Sequence, residues 1–393
     1  MIHLATMALL ILVYGILAEK IEKAPISGPI IFLLIGMIIG PIGLNLLTFD
    51  VGNEGYKILA ELALALVLFT DATKADLKVL KSSVKLPGRM LLIGLPMCIV
   101  LGLLIARLFF PEFSWIELAI LAAVLAPTDA ALGEPVVNNK SVPAKLRSTL
   151  NVESGLNDGI VVPIVFLLLA IYSAQSGDVT GQHALILFLE ELGIGAAVGL
   201  GVTFIMAKLI RLSLKNHWME ESWKPMMMVV LAIGCFTLAE AIHGSGFIAC
   251  YVGGLLFGKM LLDEKPQFQK GADGTGKVLS LMVWIIFGAI VISENISYFS
   301  WEIIVYALLS LTIIRIIPIL ISLIGSGLTK YEAFFLAWFG PRGLASIVFI
   351  IIVMDVGIEN NATFALTAVC TVFLSVFAHG FTAGPMANAF KSK

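Results

Sequence analysis

Charge is what this sequence has least of. Only 13% of its 393 residues are Asp, Glu, Lys or Arg, against 59% hydrophobic, and the mean hydropathy is +1.00. A soluble domain cannot clothe its surface from so small a stock, so the composition points to an integral membrane protein. Cysteine and histidine are scarce too. Cys98, Cys235, Cys250 and Cys370 all fall inside apolar runs, which excludes a disulfide framework and any cysteine-based metal spacing. The five histidines show no ligand spacing, and His3, His217 and His243 fall near expected membrane surfaces. "GADGTGK" (271–277) resembles part of a phosphate loop but lacks its full spacing and its strand–helix setting. No nucleotide, nucleic acid or other cofactor is therefore expected. No loop is long enough to form a soluble domain. The opening "MIHLATMALLILVYGILAEK" has no basic n-region and no small-residue cleavage site, and reads as a first spanning helix rather than a signal peptide.

Long apolar runs are what the chain does have. They fall at about 2–18, 26–47, 55–71, 89–110, 115–133, 147–172, 184–213, 225–243, 245–262, 277–293, 301–324, 332–354 and 362–385, each suited to cross roughly 30 Å of hydrocarbon. The expected fold is an all-α polytopic membrane protein of about 13 transmembrane helices. Most of the 25 basic residues lie in the loops after odd-numbered runs or in the tail. The opposite loops carry Lys57 and Arg107 and are marked instead by Asp50, Glu54, Asp178, Glu294, Asp355 and Glu359. The positive-inside rule then sets the N-terminus outside and the C-terminus in the cytoplasm. In "DATKADLKVLKSSVKLPGR" (71–89), Lys74, Lys78, Lys81 and Lys85 recur at helical intervals, as expected of an interfacial helix on anionic headgroups of the bilayer.

An internal repeat follows from comparing "ISGPIIFLLIGMIIG" (26–40) with "GSGFIACYVGGLLFG" (244–258). Ser27, Gly28, Gly36 and Gly40 match Ser245, Gly246, Gly254 and Gly258 at one constant offset, and "APTDAAL" (126–132) sets against "GPRGLAS" (340–346) with Pro127 on Pro341. The two copies begin on opposite sides of the membrane, the pattern of an inverted-topology repeat in alternating-access transporters. Each of the later segments puts a proline, a charge and small residues in mid-span. Proline removes a backbone hydrogen bond, and open backbone at membrane depth survives only where protein or a water-filled cavity satisfies it. Two broken helices crossing near the midplane are expected, with Asp129 and Arg342 compensating the partial charges of the helix ends.

"LNVESGLNDGIVVP" (150–163) carries two carboxylates into an apolar run, each costing about 2.5–3.5 kcal/mol at a helix centre in lipid. Ser154 and Asp158 share one helix face, Glu153 and Asn157 another. Glu153 and Asp158 look about 140° apart, which suggests two separate tasks. Glu153 is expected to pair with Arg342. Asp158, beside Asn157, Ser154 and the broken backbone at Thr128–Asp129, offers oxygens to a hard monovalent cation or a carboxylate to a proton. One group holding either but never both would couple the two flows, because the empty anion is costly to move through the membrane. The plainer alternative is that Asp158 only hydrogen-bonds broken helix ends. Arg315 in "LTIIRIIPIL" needs a partner, for which Asp71 and Glu61 are the candidates.

"PTDAAL", "NVESGLNDG" and "FGPRGLAS", with "LAEAIHGSGFIACYVGGLLFG" and "LALVLFTDA", resemble segments of the NhaP-type cation:proton antiporters of bacteria and archaea, relatives of the eukaryotic sodium/proton exchangers. The resemblance spans nearly the whole chain. It implies the crossed-helix antiporter fold of the NhaA type in one transporter domain (1–393), and a homodimer in the cytoplasmic membrane. A core at 89–172 and 301–385 would move against an interface part at 1–71 and 184–293. The implied activity is exchange of Na+, with Li+ and K+ as the other candidates, for H+. Asp158 would be the carrier, Thr128 and Ser154 would add cation-binding oxygens, and Asp129 would steady the crossed helices. Asparagine at 157, rather than a second aspartate, is associated in the family with electroneutral one-for-one exchange. The chain departs from many relatives in reading "TDA" where they have "TDP".

Three other functions compete. A sodium-coupled symporter of an organic anion uses a similar architecture, but needs basic groups for the anion beyond Arg342 and Arg315. A cation channel would present a filter repeated by oligomeric symmetry, and an intramembrane protease would need two facing aspartates, as Asp129 and Asp158 superficially offer. The inverted repeat favours exchange over both.

Overall fold

The computed structural model describes residues 2–22, 27–47, 54–74, 85–175, 181–261 and 265–391, and all regular structure among them is helical. Seven helices there are long and apolar enough to cross a membrane: Leu86–Phe109, Ala144–Gln175, Gln182–Lys215, Glu221–Ala241, Gln267–Tyr298, Trp301–Ser322 and Asn361–Asn388. Shorter apolar helices include Gly28–Ile39, Trp115–Val124, Gly246–Met260 and Leu344–Val356. The chain is a multi-pass membrane protein. Most of the interfacial helix expected at 71–89 lies outside the described residues.

In chain order the helices are α1 (Ile2–Glu22), α2 (Gly28–Ile39), α3 (Glu54–Lys74), α4 (85–109), α5 (Trp115–Val124), α6 (Ala130–Val137), α7 (Ala144–Gln175), α8 (Gly181–Lys215), α9 (Lys224–Ala241), α10 (Gly246–Met260), α11 (265–298), α12 (301–322), α13 (Lys330–Trp338), α14 (Leu344–Val356) and α15 (Asn361–Asn388). The helix expected at 115–133 is broken into α5 and α6, and that at 332–354 into α13 and α14. Their first halves start alike. Ser114 and Glu117 form a reciprocal capping box at the start of α5, and Thr329 and Glu332 form another at α13. Each box satisfies amide hydrogens that a helix start leaves open. Each half then ends before a proline-containing break, at 125–129 and 339–343.

By packing, the chain forms two compact units. One gathers Met1–Ala60, Lys85–Ser154 and Ser280–Lys393; the other gathers Glu61–Val84 and Gly155–Leu279. Residues 1–60 and 280–293 group with the broken helices. Close backbone approach explains it. A Cβ on Gly36 would meet the Ile285 carbonyl oxygen at 2.2 Å, and one on Gly40 the Ala289 oxygen at 2.3 Å, so α2 lies directly on α11 through a small-xxx-small stripe. The matching pair in the second unit does the same work. Cβ atoms on Gly254 and Gly258 of α10 would meet the Phe69 and Thr73 carbonyl oxygens of α3 at 2.3 and 2.5 Å.

Within the first unit an apolar cluster supports the broken helices. Val136 of α6, Leu146 and Leu150 of α7, Phe335 of α13 and Ala383 of α15 meet there with Met90 of α4 and Ile319 of α12. Overpacking a close helix contact costs about 1–3 kcal/mol or more. Gly36→Leu and Gly254→Leu are therefore expected to lower the thermal midpoint in detergent by several degrees. Gly201→Leu, where a Cβ meets nothing within 4 Å, should leave it within a degree.

Candidate functional site

Two helices that stop in mid-span expose carbonyls at one end and amide hydrogens at the other. In the first unit, several of these groups are matched across the two breaks. The Asp129 amide donates to the Pro341 carbonyl oxygen at 2.7 Å. Asp129 also caps both second halves: Oδ1 accepts from the Leu132 amide of α6 at 3.0 Å, and Oδ2 from the Leu344 amide of α14 at 2.8 Å. One carboxylate thus faces the positive ends of two helices. Gly343 makes room for it, since a Cβ there would meet Asp129 Oδ2 at 1.9 Å.

The carbonyl end of α5 is served by α14 and the residues before it. Ser346 Oγ donates to the Val124 oxygen at 2.8 Å. Arg342 Nη1 donates to the Ala126 oxygen and, at 3.1 Å, to the Pro127 oxygen. A guanidinium at the negative end of a broken helix satisfies both charge and hydrogen bonding. This task corrects the expected Glu153–Arg342 pair. Glu153 Oε1 instead accepts from Arg315 Nη1 at 2.9 Å, and both side chains are 1% exposed. Arg315 reaches Glu153 from α12, with its guanidinium against the second break; a Cβ on Gly340 would meet Arg315 Nε at 2.4 Å. The expected partners of Arg315 are also corrected. Asp71 pairs with Lys74 at 3.0 Å, and Lys74 also reaches Asp273 at 3.0 Å. Glu61, half-buried, lies further back on α3.

The remaining candidates lie along α7. Thr128 Oγ1 is 3.0 Å from Ser154 Oγ and 3.3 Å from Glu153 Oε2, which brings the first break against the start of "SGLND". Asn157 and Asp158, both buried, stand on the next turn of the same helix, with Asp158 on the Ser154 face. After Asp158, Gly159 lets the Tyr251 ring of α10 lie against α7: a Cβ there would meet Cδ2 of Tyr251 at 2.1 Å. Sequence reasoning missed Tyr251, and no local pattern marks it. It also passed over His379, buried on α15. The available signal was depth, since a titratable group inside a membrane helix is functional by default. Among the described residues, no group of three or more His, Cys, Asp or Glu could hold a metal ion.

Removing one member of a buried ion pair strands the other, at about 3–5 kcal/mol. Glu153→Gln and Arg315→Gln are each expected to destabilise the protein in detergent by about that much, with the double mutant losing clearly less than the sum. Glu153→Gln combined with Arg342→Gln should show a smaller coupling than Glu153→Gln with Arg315→Gln. Stronger coupling to Arg342 than to Arg315 would contradict the pairing.

The family described as sodium/hydrogen exchanger, transmembrane, matches residues 7–389. A K(+)/H(+) antiporter NhaP of Alkalimonas amylolytica is 26% identical over 98% of this chain and 67% of its own length. A K(+)/H(+) antiporter NhaP2 of a Shewanella species (strain MR-4) is 22% identical over 95% and 64%, so the chain spans about two thirds of the length of these relatives. A Na(+)/H(+) antiporter of Schizosaccharomyces pombe is 22% identical over 83% of this chain and 73% of its own length. Among solved structures, the sodium proton antiporter MjNhaP1 of Methanocaldococcus jannaschii at pH 8 superposes with a TM-score of 0.78 at 21% identity, covering 97% of this chain and 99% of that one. With its family match running almost end to end over two mutually braced helix breaks, the chain belongs to the sodium/hydrogen exchanger family.

Proposed function

We propose that this protein exchanges a monovalent cation for protons across the cytoplasmic membrane, by alternating access and one for one. The observation that carries the reading is the Thr128–Ser154 hydroxyl contact at 3.0 Å. It sets hydroxyl oxygens beside a broken helix, one turn from Asp158. A hard cation needs oxygens in place of its water shell. Asp158 supplies the negative charge, Ser154 and Thr128 neutral oxygens, and Asn157 an amide that orients the turn. Asp129 caps two helix starts and Glu153 pairs with Arg315, and the carrier role is assigned to Asp158. Relatives are named for potassium and for sodium; sodium is the cation we assign, with potassium and lithium run beside it.

The proposed setting is a homodimer of about 13 spans per chain, with an inverted repeat, the N-terminus outside and the C-terminus cytoplasmic. The charge asymmetry of the loops supports the orientation, and the paired motifs at 26–40 and 244–258 support the repeat. The ion-carrying part is assigned to 89–172 and 301–385.

Proteoliposomes holding an imposed proton gradient test the exchange. Sodium is expected to dissipate the gradient with the voltage clamped or free, and Asp158→Asn to reduce the rate to that of empty liposomes. Equal activity of the mutant would move the carrier elsewhere. Competition at one carboxylate also fixes a pH sign. As pH falls through the carrier's pKa, protons displace the cation, and the apparent cation affinity should weaken toward about tenfold per pH unit. An affinity that stays flat over the whole pH range in which the protein remains folded would mean that cation and proton do not share Asp158.

A further inference from the structure

His379 of α15 is buried against the second break, and the exchange reading gives it no task. Its Nε2 lies 3.0 Å from the carbonyl oxygen of Trp338, the last residue of α13. A carbonyl only accepts, so this contact is a hydrogen bond in the forms of the imidazole that carry a hydrogen on Nε2. Nδ1 lies 3.1 Å from Ser375 Oγ and 2.9 Å from the Ser375 carbonyl oxygen, one turn back on α15. Ser375 Oγ in turn accepts the backbone N–H of Arg342 at 2.7 Å. Trp338 stands before the break and Arg342 inside it, so the imidazole and one hydroxyl hold the last residue of α13 and a residue of the break itself. The Trp338 and Phe339 rings flank the imidazole, with centroids 5.3 and 6.3 Å away. Trp338 is itself tied to α15, its indole N–H donating to Thr382 Oγ1 at 2.9 Å.

These contacts continue to the candidate cation oxygens. The same Arg342 whose amide rests on Ser375 donates from Nη1 to the Pro127 carbonyl oxygen at 3.1 Å. The next residue is Thr128, whose hydroxyl lies 3.0 Å from Ser154 Oγ. A shift of Arg342 would therefore move the first break as well as the second. Buried polar chains of this kind have two costs if one member is lost, since each neighbour is left without its partner in a low-dielectric interior.

We propose that His379 is a positioning residue for exchange: through Ser375 and Arg342 it splints the second helix break and fixes the height of Thr128 beside Ser154. The proposal rests on the exchange reading of that site. His379 touches no transported ion in this scheme, and its effect is on how well the cation is held.

Three variants, His379→Leu, His379→Gln and Ser375→Ala, test it with two measurements. The first is hydrogen–deuterium exchange of the amides at 340–347 in detergent, which needs no transport. The second is sodium-driven proton movement in proteoliposomes, resolved into apparent cation affinity and maximal rate. His379→Leu is expected to speed exchange at 340–347 by tenfold or more and to weaken the apparent sodium affinity by about fivefold or more, the loss of roughly one hydrogen bond. His379→Gln, whose amide N–H can reach the Trp338 carbonyl, should stay within twofold on both. Ser375→Ala keeps the imidazole and should reproduce the affinity loss; it also carries the test if His379→Leu does not fold. Unchanged affinity in His379→Leu or Ser375→Ala, with only the amount of folded protein reduced, would overturn the proposal, as would a Gln variant as damaged as Leu. If the wild type moves no protons with any cation, the exchange reading fails, and faster exchange confined to the variants would still establish the splint.

Discussion

Two helices that end inside the apolar layer impose the constraint on which the rest depends. An unsatisfied backbone group buried in hydrocarbon costs several kcal/mol, and each break opens several of them. The chain meets this with a few side chains of the right charge at the right end. Asp129 faces two helix starts, Arg342 and Ser346 face one helix finish, and a backbone bond from Asp129 to Pro341 joins the breaks directly. Each break is held by residues of the other.

That mutual bracing decides which other residues are possible. Gly343 and Gly340 are where side chains must be absent, the first for the Asp129 carboxylate and the second for the Arg315 guanidinium. Arg315 can then lie against the break and neutralise Glu153. Polar residues that would be liabilities one by one are tolerable because each is the partner another requires. The same logic explains Ser375 and His379 at the far side of the second break. A braced frame is also what a site needs if it is to choose between a cation and a proton at one carboxylate, since loose oxygens would solvate neither well.

Outside the breaks the energetics are simpler. Small residues at 36 and 40, and at 254 and 258, let backbones meet without side chains between them. In lipid there is little hydrophobic drive between helices, so close packing of this kind supplies most of the adhesion. The repeated motif is thus a repeated contact: in each unit, one glycine pair seats a short helix on a longer one.

Much of this was legible beforehand. Composition alone settles the membrane class, because 13% charge cannot make a soluble surface. Pro127 and Pro341 announce helix breaks, since proline denies a bond wherever the chain carries it. The identity of the polar residues in "PTD", "ESGLND" and "GPRG" follows from reading the chain against the solvent it must inhabit. Partner choice does not. Glu153 takes Arg315, while Arg342 serves the Ala126 and Pro127 carbonyls, and carbonyls exposed by a break carry no mark in the sequence. His379 could be flagged by its depth, but its task depends on the Trp338 carbonyl lying 3.0 Å away across the bundle. Local chemistry, set residue by residue, determined which groups would be buried and in need; only packing between distant segments decided which of them meet, because hydrogen bonds and ion pairs act over a few ångströms in space and not along the chain.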